Sequence, residues 1–142
     1  MDFLSDAKRV WLDEVRDQIS QEDFLRAEYM IGEVQRVLDV CDALERDDYE
    51  TVGEMMYQTH FGLSRLDEVS CEELDFLNKL ARKCDVTGSR VMGGGFGGCT
   101  INLVKEELYD TFIATAVKEF AAKFGHEPKI YNVVISDGAR KL

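Results

Sequence analysis

Gly88-Ser89-Arg90-Val91-Met92-Gly93-Gly94-Gly95-Phe96-Gly97-Gly98-Cys99-Thr100-Ile101-Asn102-Leu103-Val104 decides how the rest of the chain is read. Five glycines in the six positions 93–98 weaken a native state, because glycine loses more backbone freedom on folding than any other residue. They supply positive φ and the absence of Cβ, so backbone amides can converge on an anion or another segment can come close. Both flanks are extended in pattern. Ser89 to Met92 is a short strand candidate, and Thr100 to Val104 alternates polar with apolar and is rich in β-branched residues. Gly93, Gly95 and Gly98 satisfy G-x-G-x-x-G, but a dinucleotide fingerprint opens a helix and this loop opens a strand. A Walker loop needs Lys and then Ser or Thr after its last glycine, where this chain has Cys99-Thr100. The protein-kinase glycine loop is strand–turn–strand, which fits, yet no V-A-I-K, H-R-D or D-F-G element follows. The residues alone leave open a hairpin whose glycines only permit tight packing, with Phe96 as a packing plug.

Upstream, the period is helical. Phe3, Ala7, Val10 or Trp11, Val15 and Ile19 recur at three- and four-residue steps, and Phe24, Ala27, Met30 or Ile31, Val34, Val37 or Leu38, Cys41 and Leu44 form a longer run. Asp47 with Glu50 predicts the start of a third helix through Val52, Met55, Met56 and Leu63. Ser70-Cys71-Glu72-Glu73 has the form of a capping box, opening a fourth along Leu74, Leu77, Leu80, Ala81 and Cys84. Downstream, Leu108, Phe112, Ala116, Phe120 and Phe124 mark one helix face, ended by Gly125 with Pro128 just beyond. Ile130 to Ser136, with Val133-Val134-Ile135, predicts a last strand closed by Asp137-Gly138. The fold class expected is α+β: a helical part over 1–86, then a ββαβ unit over 87–142 of strand, glycine loop, strand, helix and strand. Such a unit is the later part of a ferredoxin-like sandwich and lacks one strand here. The open edge this leaves predicts self-association.

A chain of 142 residues is one domain or part of a larger one, able to bury roughly two-thirds of its unfolded surface without a metal or disulfide. Hydrophobic content of 45% with 32% charged residues is that of a soluble globular protein. No segment approaches the roughly 20 apolar residues of a membrane span. Asp2, Asp6, Asp13 and Glu14 break any signal-peptide core, so a cytoplasmic location is expected. Of the net charge of -11, residues 1–50 carry -9. That excludes a basic nucleic-acid footprint and disfavours anionic lipid surfaces. Cys41, Cys71, Cys84 and Cys99 lack zinc-knuckle spacing, and His60 and His126 lie far apart, so buried free thiols are expected and no metal site.

Residues 88–100 closely resemble the third conserved motif of the GHMP kinases, which phosphorylate galactose, homoserine, mevalonate and related small molecules. Asp67 to Asp75 resembles a signature of the galactokinase branch. Met56 with Thr59-His60-Phe61-Gly62-Leu63 resembles another, and Ser136-Asp137-Gly138-Ala139 resembles its usual ending. Fainter similarity runs back through Arg26 to Val37. Thr59 stands where serine is usual, Asp67 where tyrosine is common and Glu72 where proline is common. The resemblance implies the C-terminal domain of an enzyme that moves the ATP γ-phosphate to the 1-hydroxyl of galactose. Galactose recognition, the serine-rich phosphate loop and the Asp and Arg near the attacking hydroxyl would all belong to an N-terminal domain. No catalytic residue and no metal ligand is then expected here. ATP and Mg²⁺ would serve the whole enzyme, and neither would bind this piece tightly. Gly93, Gly94, Gly95, Phe96, Gly97 and Gly98 would wall the cleft near the phosphates. Arg90 is expected to be structural before phosphate-binding, and His60 a core or interdomain residue before a catalytic one. Two alternatives stay open: a non-catalytic sugar and ATP sensor of the same family, and an interaction module whose acidic helices bind a basic partner.

Overall fold

Two long helices of the first half begin where a short polar side chain meets a free backbone amide. In the computed structural model, which describes residues 6–136 and 138, Ser20 caps α2 (Gln21–Glu45), its Oγ accepting from the Asp23 amide at 3.0 Å. Asp48 caps α3 (Tyr49–Arg65), accepting from the Thr51 amide at 3.1 Å and its hydroxyl at 2.6 Å. Each such cap stabilises by about 1 kcal/mol. The cap predicted at Asp47 falls one residue early, because Asp47 is held at φ +55° and the helix can only begin beyond it.

The helix predicted from the first residues to Ile19 is cut down to α1 (Arg9–Glu14) and a 3-10 turn over Arg16–Gln18. Lys8 gives α1 no side-chain cap, and its last turn holds no basic residue but ends on Asp13 and Glu14. Those carboxylates face the negative end of the helix dipole, which opposes elongation. Phe3 lies outside the described residues. Helix α4 (Glu72–Lys83) starts after Cys71 without a side-chain cap, so the predicted capping box is not made. Its dipole is complemented instead, by Glu72, Glu73 and Asp75 in the first turn and Arg82 and Lys83 in the last.

Strands β1 (Gly88–Met92) and β2 (Cys99–Leu103) form a two-stranded antiparallel sheet, with Gly88 opposite Leu103 and Met92 opposite Cys99. Helix α5 (Tyr109–Phe124) then lies against α4 around Leu80, Ala81, Val86, Phe112 and Ala116. Phe76 seals one end edge-on to Phe124, ring centres 5.5 Å apart. Gly125 ends α5 at φ +77° and donates its amide to the Ala121 carbonyl at 2.9 Å, as the sequence predicts.

Helix α3 supports β1 by direct backbone contact. A Cβ on Gly53 would stand 1.9 Å from the Thr87 carbonyl oxygen, and one on Gly88 would stand 2.6 Å from Gly53 Cα. The Tyr57 hydroxyl donates to the Val86 carbonyl at 2.8 Å, and the Asn78 amide to the Ser89 carbonyl at 2.7 Å. The strand that leads into the glycines therefore rests on two helices.

The α+β order of helices, β1, β2 and α5 matches the expectation, but the last strand of the ββαβ unit does not form. Residues 130–136 carry no regular structure, and Val133, Val134 and Ile135 are 76%, 89% and 99% exposed. Their β-branched composition suits a strand, but a strand exists only through a partner's N–H and C=O groups. Among the described residues none forms a ladder with it. Of the predicted ending, Asp137 and Ala139 lie outside the described residues. The cysteines also depart from expectation: Cys41 is exposed and Cys71, Cys84 and Cys99 are half-buried. Cys41 belongs to an apolar stripe of α2 that solvent reaches, with Val37, Leu38 and Leu44 also exposed. Helical period located the stripe but could not say what covers it.

Candidate functional site

The glycines 93–98 form the tip of the β1–β2 hairpin, and they are not equivalent. Gly93, Gly95, Gly97 and Gly98 have φ of +81°, +82°, +132° and +91°. Phe96 shares the left-handed region at φ +56° despite its side chain. Gly94 does not, and a Cβ built on it meets nothing within 4 Å. Neither its own φ nor a neighbour within this chain requires Gly94 to be glycine.

Gly95 is the opposite case. Its Cβ would stand 2.1 Å from the Val69 carbonyl oxygen, in the connector between α3 and α4. The next amide, that of Phe96, donates to the same carbonyl at 2.6 Å. Bare backbone at Gly95 is what lets this bond form. It pins one side of the loop and leaves Gly93, Gly94 and Gly97 with open space beside them. The Phe96 ring is 79% exposed, so it is not the packing plug the sequence suggested. The tight contact is made by its amide.

Beneath the loop lies a polar cluster. His60 on α3 is buried, with Nδ1 accepting from the Val91 amide at 3.2 Å and Nε2 3.2 Å from Asp75 Oδ1. An Nδ1 that accepts must be unprotonated, so the ring is neutral and its Nε2–H donates to the carboxylate. Burial pushes the His60 pKa below the ordinary 6.5, opposed in part by Asp75 and reinforced by Lys79. Asp75 also accepts from Ser70 at 2.6 Å and Ser64 at 2.9 Å. Partial burial pushes the Asp75 carboxyl up, but the two hydroxyls and His60 outweigh it and leave its pKa below the usual value.

Serine, histidine and aspartate together invite comparison with a hydrolase triad, and the geometry excludes it. Both serines bond to the carboxylate rather than to the imidazole, and the imidazole acceptor is taken by a backbone amide. No base is left to activate a hydroxyl. The cluster is a support for β1 and for the connector.

His60 is in the core, one of the two places the sequence allowed. Arg90 is half-buried and donates Nε to the Val91 carbonyl at 3.0 Å. Among the described residues no three His, Cys, Asp or Glu side chains are grouped to hold a metal ion, and no helix is long and apolar enough to cross a membrane. Sequence reasoning missed Val69, Ser64, Ser70 and Asp75. Ser70 reads as a cap, and Asp75 enters only as the last residue of the family signature. The available signal was a pair of hydroxyls five and eleven residues before an acid, with a histidine fifteen before it.

Comparison with known proteins gives these features a family. Residues 40–123 match the GHMP kinases C-terminal family model. A galactokinase of Clostridium beijerinckii is 43% identical over 118 residues, 82% of this chain and 30% of that protein. Human galactokinase is 37% identical over 132 residues, 92% of this chain and 33% of that protein. The crystal structure of Lactococcus lactis galactokinase complexed with galactose superposes with a TM-score of 0.81 at 27% identity, over 89% of this chain and 33% of that one. The chain thus spans about a third of the length of the relatives it matches.

Proposed function

This chain belongs to the GHMP kinases, and from that premise we propose that it is the C-terminal domain of a galactokinase, the enzyme that transfers the ATP γ-phosphate to the 1-hydroxyl of galactose. The observation that carries the proposal is Gly94. Gly94 lies in the glycine loop that resembles the family motif, and with no steric or positive-φ need for glycine inside its own chain we read it as bare for a neighbour outside the chain. Phosphoryl transfer is catalysed mainly by positioning and by donors arranged around the phosphates. A loop of Gly93 to Gly98 with Phe96 lets backbone approach such a site with few side chains between. In this role the domain walls the cleft and supplies no catalytic side chain. ATP and Mg²⁺ are held by the rest of the enzyme, since the loop has neither carboxylate nor cation to offer. The site works in the cytoplasm.

The same premise accounts for surface that is otherwise costly. Val37, Leu38, Cys41 and Leu44 form an exposed apolar stripe on α2, and Val133 to Ile135 are exposed nearby in sequence to α5. Apolar patches of this kind mark interfaces. We assign the interface to the N-terminal domain of the enzyme, and in its absence the same surfaces support self-association of this chain. Alone, the chain is inactive.

The test is reconstitution. The N-terminal two-thirds of the Clostridium beijerinckii galactokinase, expressed separately, is mixed with this chain, ATP, Mg²⁺ and galactose. Galactose 1-phosphate formed by the mixture and by neither part alone supports the proposal. Turnover by this chain alone overturns it, and so does a stable complex with no turnover.

A further inference from the structure

Beyond the β1–β2 ladder at its base, the bond that holds the glycine loop to the rest of the chain among the described residues is Phe96 N–H to the Val69 carbonyl, so the placement of Val69 sets the placement of the loop. Val69 sits in the α3–α4 connector, a stretch with little core of its own. Its amide donates to the Leu63 carbonyl at 2.9 Å. Beside it Glu68 is held at φ +57°, and across the bond Phe96 is held at +56°. Non-glycine residues stay in the left-handed region only when their surroundings fix them there. Strain on both sides of one hydrogen bond therefore requires something that clamps the connector.

Ser70, the residue after Val69, donates to Asp75 at 2.6 Å, and Ser64, at the end of α3, donates to the other oxygen at 2.9 Å. One carboxylate on α4 thus ties together both ends of the connector. Through His60 it also reaches the Val91 amide of β1, the strand from which the loop departs. We infer that Asp75 is a positioning residue for the glycine loop: acting through Ser64, Ser70 and His60, it fixes the Val69 carbonyl and β1 in the one arrangement that holds Gly95 and Phe96. The inference deepens the proposed role of the same loop and assigns to this motif a task other than ligand contact. Its first readout needs no kinase activity.

Amide hydrogen exchange of this chain, followed residue by residue by NMR, is the test. Asp75→Asn keeps the shape and loses the charge that three donors share. It should speed exchange of the Phe96 amide by roughly tenfold or more, the size of losing one charge-assisted contact, while the α5 amides keep their protection. Ser70→Ala, a milder change that covers failure of Asp75→Asn to fold, should do the same, and Ser70→Thr should restore protection. Unchanged Phe96 exchange in a folded Asp75→Asn chain overturns the inference, as does equal acceleration at every amide or failure of threonine to rescue. In the reconstituted enzyme, Asp75→Asn should lower kcat with little change in the galactose KM. Faster Phe96 exchange with an undiminished kcat would leave the positioning role standing and count against the loop's part in catalysis.

Discussion

Replacing Gly93, Gly94 and Gly95 by alanine one at a time separates three causes that look identical in the sequence. At Gly94 φ lies outside the left-handed region and the new Cβ meets nothing within 4 Å. Gly94→Ala adds no strain and narrows the unfolded ensemble, which stabilises by about 0.4–1 kcal/mol. At Gly93 there is equal room but φ is +81°, so alanine meets the left-handed penalty of roughly 1–2 kcal/mol, partly offset by the same entropy gain. At Gly95 the φ of +82° is joined by a Cβ placed 2.1 Å from the Val69 carbonyl oxygen. That clash has a ceiling, because the loop can swing away at the cost of its Phe96 bond, about 0.5–1.5 kcal/mol. Less the same entropy gain, Gly95→Ala should therefore lose roughly 1–3 kcal/mol in all, with Gly94→Ala above the wild type and Gly93→Ala between. Urea unfolding followed by far-UV circular dichroism resolves differences of this size. A Gly95→Ala chain as stable as Gly94→Ala would refute the placement of Gly95 against Val69.

Gly53→Ala should cost at least about 2 kcal/mol, in the upper part of the overpacking range, since its Cβ would stand 1.9 Å from a backbone oxygen of Thr87 rather than a movable side chain; urea midpoints measure it, and a loss under 0.5 kcal/mol would place α3 away from β1. The His60 pKa is depressed below 6.5 in the folded chain, so the unfolded chain takes up the proton first as pH falls. Its contribution is complete above about pH 6.5 and declines as pH drops from there toward the folded pKa. His60→Asn should flatten the fall in urea midpoint between pH 7.5 and 5.5, and an unaltered slope would move the source of that fall elsewhere. Val134→Lys should weaken self-association of the isolated chain by placing a charge among apolar residues exposed at 76–99%. Sedimentation at high concentration reads it, and a strictly monomeric wild-type chain would remove the premise.

The parts legible in the sequence were those set by local chemistry. Helices α2 to α5 followed from apolar period, and the stop at Gly125 from the need for positive φ. The hairpin followed from glycines between a short extended candidate, Ser89 to Met92, and the β-branched run Thr100 to Val104. What escaped depends on partners. Val133-Val134-Ile135 has the composition of a strand, yet composition does not reveal whether another strand lies alongside it. Ser70 was readable as a cap because caps and acid-binding hydroxyls use the same atom, and only the position of Asp75 in space decides between them. The glycine run announced itself, but its division into a glycine pressed on Val69 and a glycine facing open space could not be seen from five identical letters. His60 was legible as buried, but not as the acceptor of a strand amide.

The central claim, that Gly94 is bare for a neighbour outside this chain, is tested most directly by putting valine there. In the isolated chain Gly94→Val should lower the unfolding free energy from urea titration by no more than about 0.5 kcal/mol. In the reconstituted enzyme it should reduce formation of galactose 1-phosphate by at least about tenfold, the effect of a modest misplacement at a reacting centre. Full activity with valine at position 94 would contradict the account.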